Sequence, residues 1–225
     1  MSTIRVKFRK GSEVKFISHL DMMNTFQRAA RRAGLEAEYS QGFNPQMQMV
    51  FGAPLSLGFT SEAEYADLSF AVEYDPKFIL ERLGRQLPPG LELLGAAKRI
   101  VKKNIMADIS YTEYTFTISG AEDIEDLAEL VMSYESLPVE KVRKGKARVM
   151  DIKPMIVKFY TKGNTGSLLG AGGNEKNLNP KLLAKAISAR LGRDIEFINI
   201  NRSSQFVERN GAMFDPISTE AMETE

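Results

Sequence analysis

The chain has 225 residues, which is enough for one large domain or for two domains of about 100 residues each. Its 43% hydrophobic and 26% charged residues are typical of a globular protein, and a net charge of +1 excludes attraction of a polyanion by overall charge. The absence of cysteine excludes disulfides, thiolate zinc sites and iron–sulfur ligation by this chain. With no apolar signal core and no apolar run near the roughly 18 residues of a membrane span, we predict a cytoplasmic protein with no membrane partner.

The first half of the chain predicts two helices among four strands. Apolar and basic residues alternate over residues 4–9, which indicates a half-buried strand. Ser18 and Gly34 mark the ends of a helix over residues 18–33, because serine caps a first turn and glycine accepts the left-handed C-terminal position. Pro76 begins a second helix over residues 76–87. Further strands are predicted over residues 35–40, 64–72 and 91–99, so the order is β-α-β-β-α-β, typical of a ferredoxin-like fold.

The same order of elements recurs in the second half. Strands are predicted over residues 111–118, 138–143, 148–160 and 194–200, with an acidic helix over 123–134 and a helix from Pro180 to Leu191. We therefore predict an α+β protein of two tandem ferredoxin-like halves. Its parts are a domain over residues 1–100, a linker over 101–110, a domain over 111–206 and a flexible tail over 207–225. The alternative is one continuous mixed α+β domain.

Charge is segregated along the chain. Residues 1–34 carry eight Lys or Arg against two acids, a balance of 8 − 2 = +6. Residues 141–162 carry eight against one acid, a balance of 8 − 1 = +7. Residues 121–140 include acidic residues and contain no Lys or Arg. The near-zero net charge therefore hides two basic segments, either of which could contact a nucleic acid.

The first basic segment ends in an arginine cluster. Arg28, Arg31 and Arg32 stand three and four positions apart, so all three reach one side of the last helical turn. They either contact phosphates or complement the helix dipole while they stay solvated.

A segment with aromatic and amide side chains follows the cluster. Tyr39 and Phe43 are rings on either side of Gly42, and Gln41 and Asn44 can hydrogen-bond to base edges. This mixture predicts a site for an unstacked RNA base. The alternative is a structural turn in which Phe43 fills the core.

The second basic segment predicts a hairpin tip that contacts phosphates. Its basic residues are Lys141, Arg143, Lys144, Lys146 and Arg148. The alternative is a solvated hairpin.

Further along, five glycines in residues 163–173 precede the Pro180 helix, as in an anion-binding loop. The P-loop ending and the dinucleotide spacing are absent, so a long flexible loop is the favoured interpretation.

His19 is the one side chain suited to acid–base chemistry near neutral pH. A helix N-terminus lowers the pKa of histidine, which would leave His19 neutral and able to act as a base. Tyr39 and Asp67 are candidate assistants. The favoured alternative is a histidine that is held by hydrogen bonds beside the first turn.

Four stretches together resemble a radical-SAM-linked family of bacterial proteins, a domain of unknown function. They are Ile17-Ser18-His19-Leu20-Asp21, the segment 28–34, Tyr39 to Pro45 and Pro54 to Gly58. The resemblance is strong over residues 1–75. It implies a radical SAM enzyme as partner, because in that family the protein is encoded beside or fused to one. It also implies an RNA-related setting, but no catalytic residues.

These observations favour a non-catalytic module that binds tRNA or rRNA for a radical SAM enzyme and has no cofactor of its own. The first alternative is a metal-independent RNA-processing or RNA-modifying enzyme that uses His19. Its tandem ferredoxin-like architecture would be similar to that of CRISPR-associated repeat-processing endoribonucleases. The second alternative is an interaction scaffold whose acidic face, residues 122–135, docks a basic protein.

Overall fold

A computed structural model describes residues 2–122, 124, 126–143, 146–173 and 176–222, without the side chains of residues 142, 143 and 146. The helices in these ranges are α1 (His19–Arg32), α2 (Pro76–Gly84), α3 (Ile105–Asp108), α4 (Leu127–Ser133), α5 (Pro180–Leu191) and α6 (Thr219–Met222). The strands are β1 (Ser2–Lys10), β2 (Met49–Phe51), β3 (Thr60–Phe70), β4 (Leu91–Lys98), β5 (Ile109–Ser119), β6 (Pro138–Arg143), β7 (Lys146–Asp151), β8 (Ile156–Lys162), β9 (Thr165–Ala171), β10 (Glu196–Arg209) and β11 (Ala212–Phe214).

Nine strands form one mostly antiparallel sheet, which confirms the predicted α+β class. The main path is β4-β1-β3-β10-β5-β9-β8, with β2 paired to β3 and β11 paired to β10. The hairpin β6–β7 forms a separate sheet. The halves of the chain meet where β3 and β10 pair in parallel, at Thr60 with Asn201 and Ser61 with Arg202. The sheet therefore continues from one half into the other through a short junction.

The predicted signals at the helix ends are found where the sequence puts them. The Ser18 hydroxyl accepts a hydrogen bond from the Asp21 backbone N–H at 3.1 Å, and Gly34 follows α1 with a φ of 67°. Asn179 caps α5 in the same way, and Gly192 ends that helix in the left-handed conformation. Local capping chemistry is therefore enough to fix α1 and α5.

The strand predicted over residues 35–40 is wrong. This segment is extended but pairs only through isolated bridges, Ala37 with Phe70 and Tyr39 with Met47. The second strand of the first half is β2, which lies along β3 at residues 66–68. The segment changes neighbours within three residues, so no continuous ladder can form.

The segment 101–110 and the tail are more structured than the sequence indicates. Residues 105–108 form α3, and Ile105 and Asp108 are buried. Within the predicted flexible tail of residues 207–225, residues 207–222 contain the end of β10, β11 and α6, and the side chain of Arg209 donates to the Ala221 carbonyl at 2.9 Å. Both segments pack on the face of the sheet opposite α1, which the short polar sequence gave no reason to expect.

The glycine-rich residues 163–173 are neither a flexible loop nor an anion-binding loop. Residues 165–171 form β9, which lies between β5 and β8. A Cβ atom at Gly166 would lie 2.6 Å from the Phe116 ring, and one at Gly170 would lie 2.9 Å from the Met155 carbonyl oxygen. Gly166 and Gly170 are therefore needed for close packing inside the sheet, whereas Gly163 lies in the turn before β9 with a φ of 56°.

Each half has its own apolar core on a helix-covered face. In the first half, α1 packs on the sheet through the rings of Phe8, Phe26 and Phe51. In the second half, the rings of Phe116 and Phe197 stack with centroids 4.0 Å apart. The core of the first half therefore holds α1 against the sheet.

The opposite face of the first half contains a buried charge network. Arg5 donates to Asp67 at 2.8 Å and to Asp108 at 2.9 Å, and Arg209 contacts Asp108 at 2.9 Å. Arg5, Asp67 and Asp108 are almost fully buried. The network joins β1 and β3 to α3 and the end of β10, so it fixes the segments on this face.

Candidate nucleic-acid interface

The arginines at the end of α1 are exposed, but they do not all point the same way. The Nε of Arg31 donates to the Tyr39 hydroxyl at 3.5 Å. Arg32 instead donates to the Gln86 carbonyl at 2.6 Å, beside the end of α2. No hydrogen bond or ion pair of Arg28 is found within the described ranges. Arg31 therefore contacts the base of the loop that follows α1, and Arg28 lies one turn earlier on the same helix with an exposed side chain.

The loop over residues 39–47 projects from a closed base. Tyr39 and Met47 form a bridge, the Ser40 N–H donates to the Gln46 carbonyl at 2.9 Å, and the Gln46 N–H donates to the Ser40 hydroxyl at 3.0 Å. Gly42 has a φ of 127°, which side chains rarely adopt, so glycine permits the turn at the tip. Three contacts therefore close the base of the loop.

Phe43 stands at the tip of this loop and is as exposed as in an extended chain, at 113% relative accessibility. The alternative in which Phe43 fills the core is therefore wrong. Gln41 and Asn44 are exposed on either side of it, and Tyr39 is half-buried at the base. We call Arg28, Arg31, Tyr39 and Phe43 the loop surface.

The basic hairpin belongs to a different part of the molecule. Lys141 and Arg148 are paired across β6 and β7, and both side chains are exposed. The hairpin is attached to α5, where Lys185 donates to the Glu140 carbonyl at 2.8 Å. Lys144 lies outside the described residues, as do the side chains of Arg143 and Lys146. No hydrogen bond or ion pair within the described ranges joins this hairpin to the loop surface.

His19 does not meet either of its candidate assistants. Tyr39 contacts Arg31, which lies twelve residues further along α1 and hence about 18 Å away along the helix axis. Asp67 points to the other face of β3, since side chains alternate along a strand, and it binds Arg5 and Arg99 there. The structure therefore brings together neither the His19–Tyr39 pair nor the His19–Asp67 pair.

His19 itself is half-buried and incompletely bonded. Its ring packs edge-on against Phe51 with centroids 5.6 Å apart, and its Nδ1 atom is buried without a hydrogen-bond partner. Burial lowers the pKa of His19 from its ordinary value, the Glu64 carboxylate opposes this change, and the Lys10 ammonium adds to it. The neutral form that acid–base chemistry requires is thus favoured, although the expected hydrogen bonds are missing.

The charged neighbours of His19 were missed by the sequence analysis. Lys10 is buried and donates to the Lys15 and Ile17 carbonyls at 3.3 and 3.4 Å. Arg202 is buried in β10, and donates to Glu64 at 2.9 Å and to the Tyr114 hydroxyl at 3.1 Å. The sequence does contain a sign of these buried charges, because Lys10 and Glu64 occupy positions that the strand alternation assigns to the apolar face.

No helix within the described residues is long and apolar enough to cross a membrane. Within the same residues, no group of three or more histidine, aspartate or glutamate side chains is arranged to hold a metal ion.

Comparison with known proteins places the chain in a family but gives it no activity. No curated protein matches it. Among solved structures, it is similar to a chain of a Cbf5-Nop10-Gar1 complex, with 11% identity, a TM-score of 0.47, and coverage of 91% of this chain and 48% of that chain. It is also similar to a chain of the archaeal box H/ACA sRNP Nop10-Cbf5 complex, with 10% identity, a TM-score of 0.43, and coverage of 89% and 46%. The chain spans about half the length of these matches.

The family comparison covers most of the chain. The model of DUF2344, an uncharacterized protein conserved in bacteria, matches residues 3–180. The matched range includes α1, the loop surface and the junction segment of β3, and it ends at the start of α5. This chain therefore belongs to the DUF2344 family of uncharacterized bacterial proteins.

Proposed function

We propose that this chain binds RNA through the loop surface. The observation that carries the proposal is the full exposure of Phe43 on a loop whose base is fixed. Burial of a phenylalanine side chain contributes about 1.5–3 kcal/mol, and Phe43 contributes nothing of this kind to folding. An exposed aromatic ring on a loop whose base contacts Arg31, with Arg28 one turn earlier on α1, has the composition of a stacking site near phosphate contacts.

The charge of this surface sets the kind of binding expected. Arg28 and Arg31 can supply two phosphate contacts, so the logarithm of affinity should fall with the logarithm of salt concentration with a slope of about −1.4 for single-stranded RNA. Stacking on an aromatic ring is worth about 1–3 kcal/mol per base, which corresponds to about 5- to 160-fold in affinity. A tRNA or rRNA with an unpaired loop fits both requirements.

The test is binding of the full chain to labelled tRNA and to a single-stranded RNA across a salt series. Phe43→Ser and the double variant Arg28→Gln/Arg31→Gln are compared with matched controls on β8, Tyr160→Ser and Lys158→Gln/Lys162→Gln, whose side chains are also exposed. We expect Phe43→Ser to weaken binding at every salt concentration, and the arginine variant to reduce the salt slope by about 1.4. Equal losses in the control variants, or binding that no variant changes, would refute the proposal.

The wider setting is proposed on the resemblance alone. We propose a non-catalytic accessory module whose partner is a radical SAM enzyme, which must supply its own cluster because this chain has no cysteine. Co-expression with a radical SAM enzyme from the same genome, followed by size-exclusion chromatography, tests this proposal. Separate elution of the two proteins, both with and without RNA, would contradict it.

We also propose that residues 1–100 and 111–206 are two ferredoxin-like units. The support is a shared strand order: β4-β1-β3 with β2 on the far edge of β3, and β10-β5-β9-β8. In each case the last strand of the unit lies beside its first. Under this proposal the hairpin β6–β7 is an insertion after α4, and α3 connects the two units.

A second candidate function rests on His19. Its lowered pKa and unpaired Nδ1 favour a neutral imidazole that can accept a proton. In this case the chain would itself process or modify RNA without a metal. His19→Gln should then abolish turnover while RNA binding is retained, and the absence of any turnover by the wild-type chain would exclude this function.

A further inference from the structure

A cleft of about 400 Å³ lies where the two halves meet, away from the loop surface. Its walls come from four segments: the turn after β1, the loop before β3, the first turn of α5 and the early part of β10. The residues used below are Lys15, Leu57, Lys181, Ile198 and Asn199. Its volume falls within the roughly 300–1,000 Å³ typical of sites for small ligands.

Hydrogen bonds between the segments fix the walls in advance of any ligand. The Gly58 N–H donates to the Lys15 carbonyl at 2.9 Å, and the buried Lys10 ammonium donates to the same carbonyl at 3.3 Å. On the other side, the Asn179 amide donates to the Ser56 hydroxyl at 3.0 Å, which ties the start of α5 to the loop before β3. The cleft is therefore preformed, which reduces the entropic cost of binding.

The charge in the cleft is positive and unneutralised. Lys15 and Lys181 are the charged residues among those described in its lining. Each ammonium lies over an aromatic ring, Lys15 at 5.3 Å from the Phe16 centroid and Lys181 at 5.6 Å from the Phe59 centroid. Neither has a carboxylate partner within the described ranges. Two cations held at the same opening are suited to a phosphate group.

The remaining walls offer apolar area and one amide. Leu57 and Ile198 are large apolar side chains that are 60% and 42% exposed. Asn199 follows Ile198 in an irregularity of β10 and has a φ of 50°, a left-handed conformation that is uncommon outside glycine. Such strain is concentrated at functional sites. Here it accompanies an exposed amide that can both donate and accept hydrogen bonds.

We propose that this cleft binds a nucleoside monophosphate unit. Lys15 and Lys181 contact its phosphate, Leu57 and Ile198 contact the base, and Asn199 hydrogen-bonds to a polar edge of that base. The unit is either a free mononucleotide or the 5′-phosphorylated end of an RNA. The inference does not depend on RNA binding at the loop surface.

The test is calorimetric titration of the full chain with the four ribonucleoside 5′-monophosphates and with adenosine as the ligand without phosphate. The first variant, Lys15→Gln/Lys181→Gln, removes both cations of the cleft. The second variant, Leu57→Asp, changes the apolar wall and keeps both cations. The control is Lys158→Gln on β8. We expect the wild-type chain to bind the monophosphates and to bind adenosine roughly 10- to 100-fold more weakly. The double variant should bind the monophosphates roughly 10- to 100-fold more weakly than the wild type, and the affinity of the control should be unchanged. Leu57→Asp should also weaken binding, because it replaces an apolar contact with the base by a carboxylate and offsets part of the positive charge of the cleft.

A 5′-phosphorylated trinucleotide and its 5′-hydroxyl counterpart identify the source of the unit. If only the phosphorylated trinucleotide binds more tightly than the mononucleotides, and depends on Lys15 and Lys181, the unit is an RNA end. If it binds no more tightly, the ligand is a free nucleotide. Equal affinity for adenosine and its monophosphate, or unchanged affinity in the double variant, overturns the proposal. The Phe43→Ser variant separates the two surfaces, since it should lose RNA binding and keep mononucleotide binding.

Discussion

The junction between the halves contains a buried ion pair, and Arg202→Met should show how much this pair contributes to stability. The side chains of Arg202 and Glu64 are only 2% and 5% exposed, and their contact is 2.9 Å. Removing one partner of a buried pair costs about 3–5 kcal/mol, because the remaining charge is left without compensation. The Tyr114 hydroxyl and the Ala53 carbonyl also lose a donor. We therefore expect a loss of at least about 4 kcal/mol in the free energy of unfolding.

The double variant Arg202→Met/Glu64→Gln isolates the contribution of the stranded charge. It keeps the shape of Glu64 but removes the carboxylate, so it should be more stable than Arg202→Met by about 2 kcal/mol. Urea unfolding followed by far-UV circular dichroism measures both, since the chain has no tryptophan to report by fluorescence. A single-variant loss below about 1 kcal/mol, or a double variant no more stable than the single one, would refute the reasoning.

Three further predictions concern stability. Burial lowers the pKa of His19, so below about pH 6.5 the unfolded chain binds more protons than the folded chain. The free energy of unfolding should therefore fall as the pH is lowered from about 7 to about 5. His19→Gln should flatten this part of the plot of urea midpoint against pH. Gly172→Ala should lower the free energy of unfolding in urea by about 3 kcal/mol, since its Cβ would lie 2.8 Å from the Thr112 backbone nitrogen. Gly163→Ala should lower it by about 1 kcal/mol, because no atom lies within 4 Å of the added Cβ. Ser18→Ala should cost about 1 kcal/mol through loss of the α1 cap, and an unchanged thermal midpoint would contradict this.

The parts of the fold that could be predicted from the sequence are those that local chemistry decides. Ser18 and Asn179 are caps whose effect is complete within one helical turn, so α1 and α5 begin where expected. The glycines of residues 163–173 have the composition of a loop, but they serve contacts with residues such as Phe116 that are distant in sequence. No local pattern distinguishes a glycine needed for a turn from one needed for close packing inside a sheet.

The same limit applies to the basic residues of β1. The basic residues of β1 were interpreted as its solvent-facing side, which is the usual outcome when one face of a strand is wet. In the fold, α3 and the end of the chain cover that side, and Arg5 is fully buried against Asp67 and Asp108. These two partners lie 62 and 103 residues away in sequence, so only the assembled sheet reveals the network.

The burial of charge changes what the basic segment of residues 1–34 can do. Four of its eight cations are committed inside the fold or paired with distant acids: Arg5, Lys7, Arg9 and Lys10. The other four occupy two separate surfaces, with Lys15 in the cleft and the three arginines at the end of α1. The apparent excess of +6 is therefore not one polyanion-binding patch. Under the two proposals, each of these surfaces holds phosphate at a defined position, and specificity comes from the neighbouring groups: the Phe43 ring at one surface and the Asn199 amide at the other.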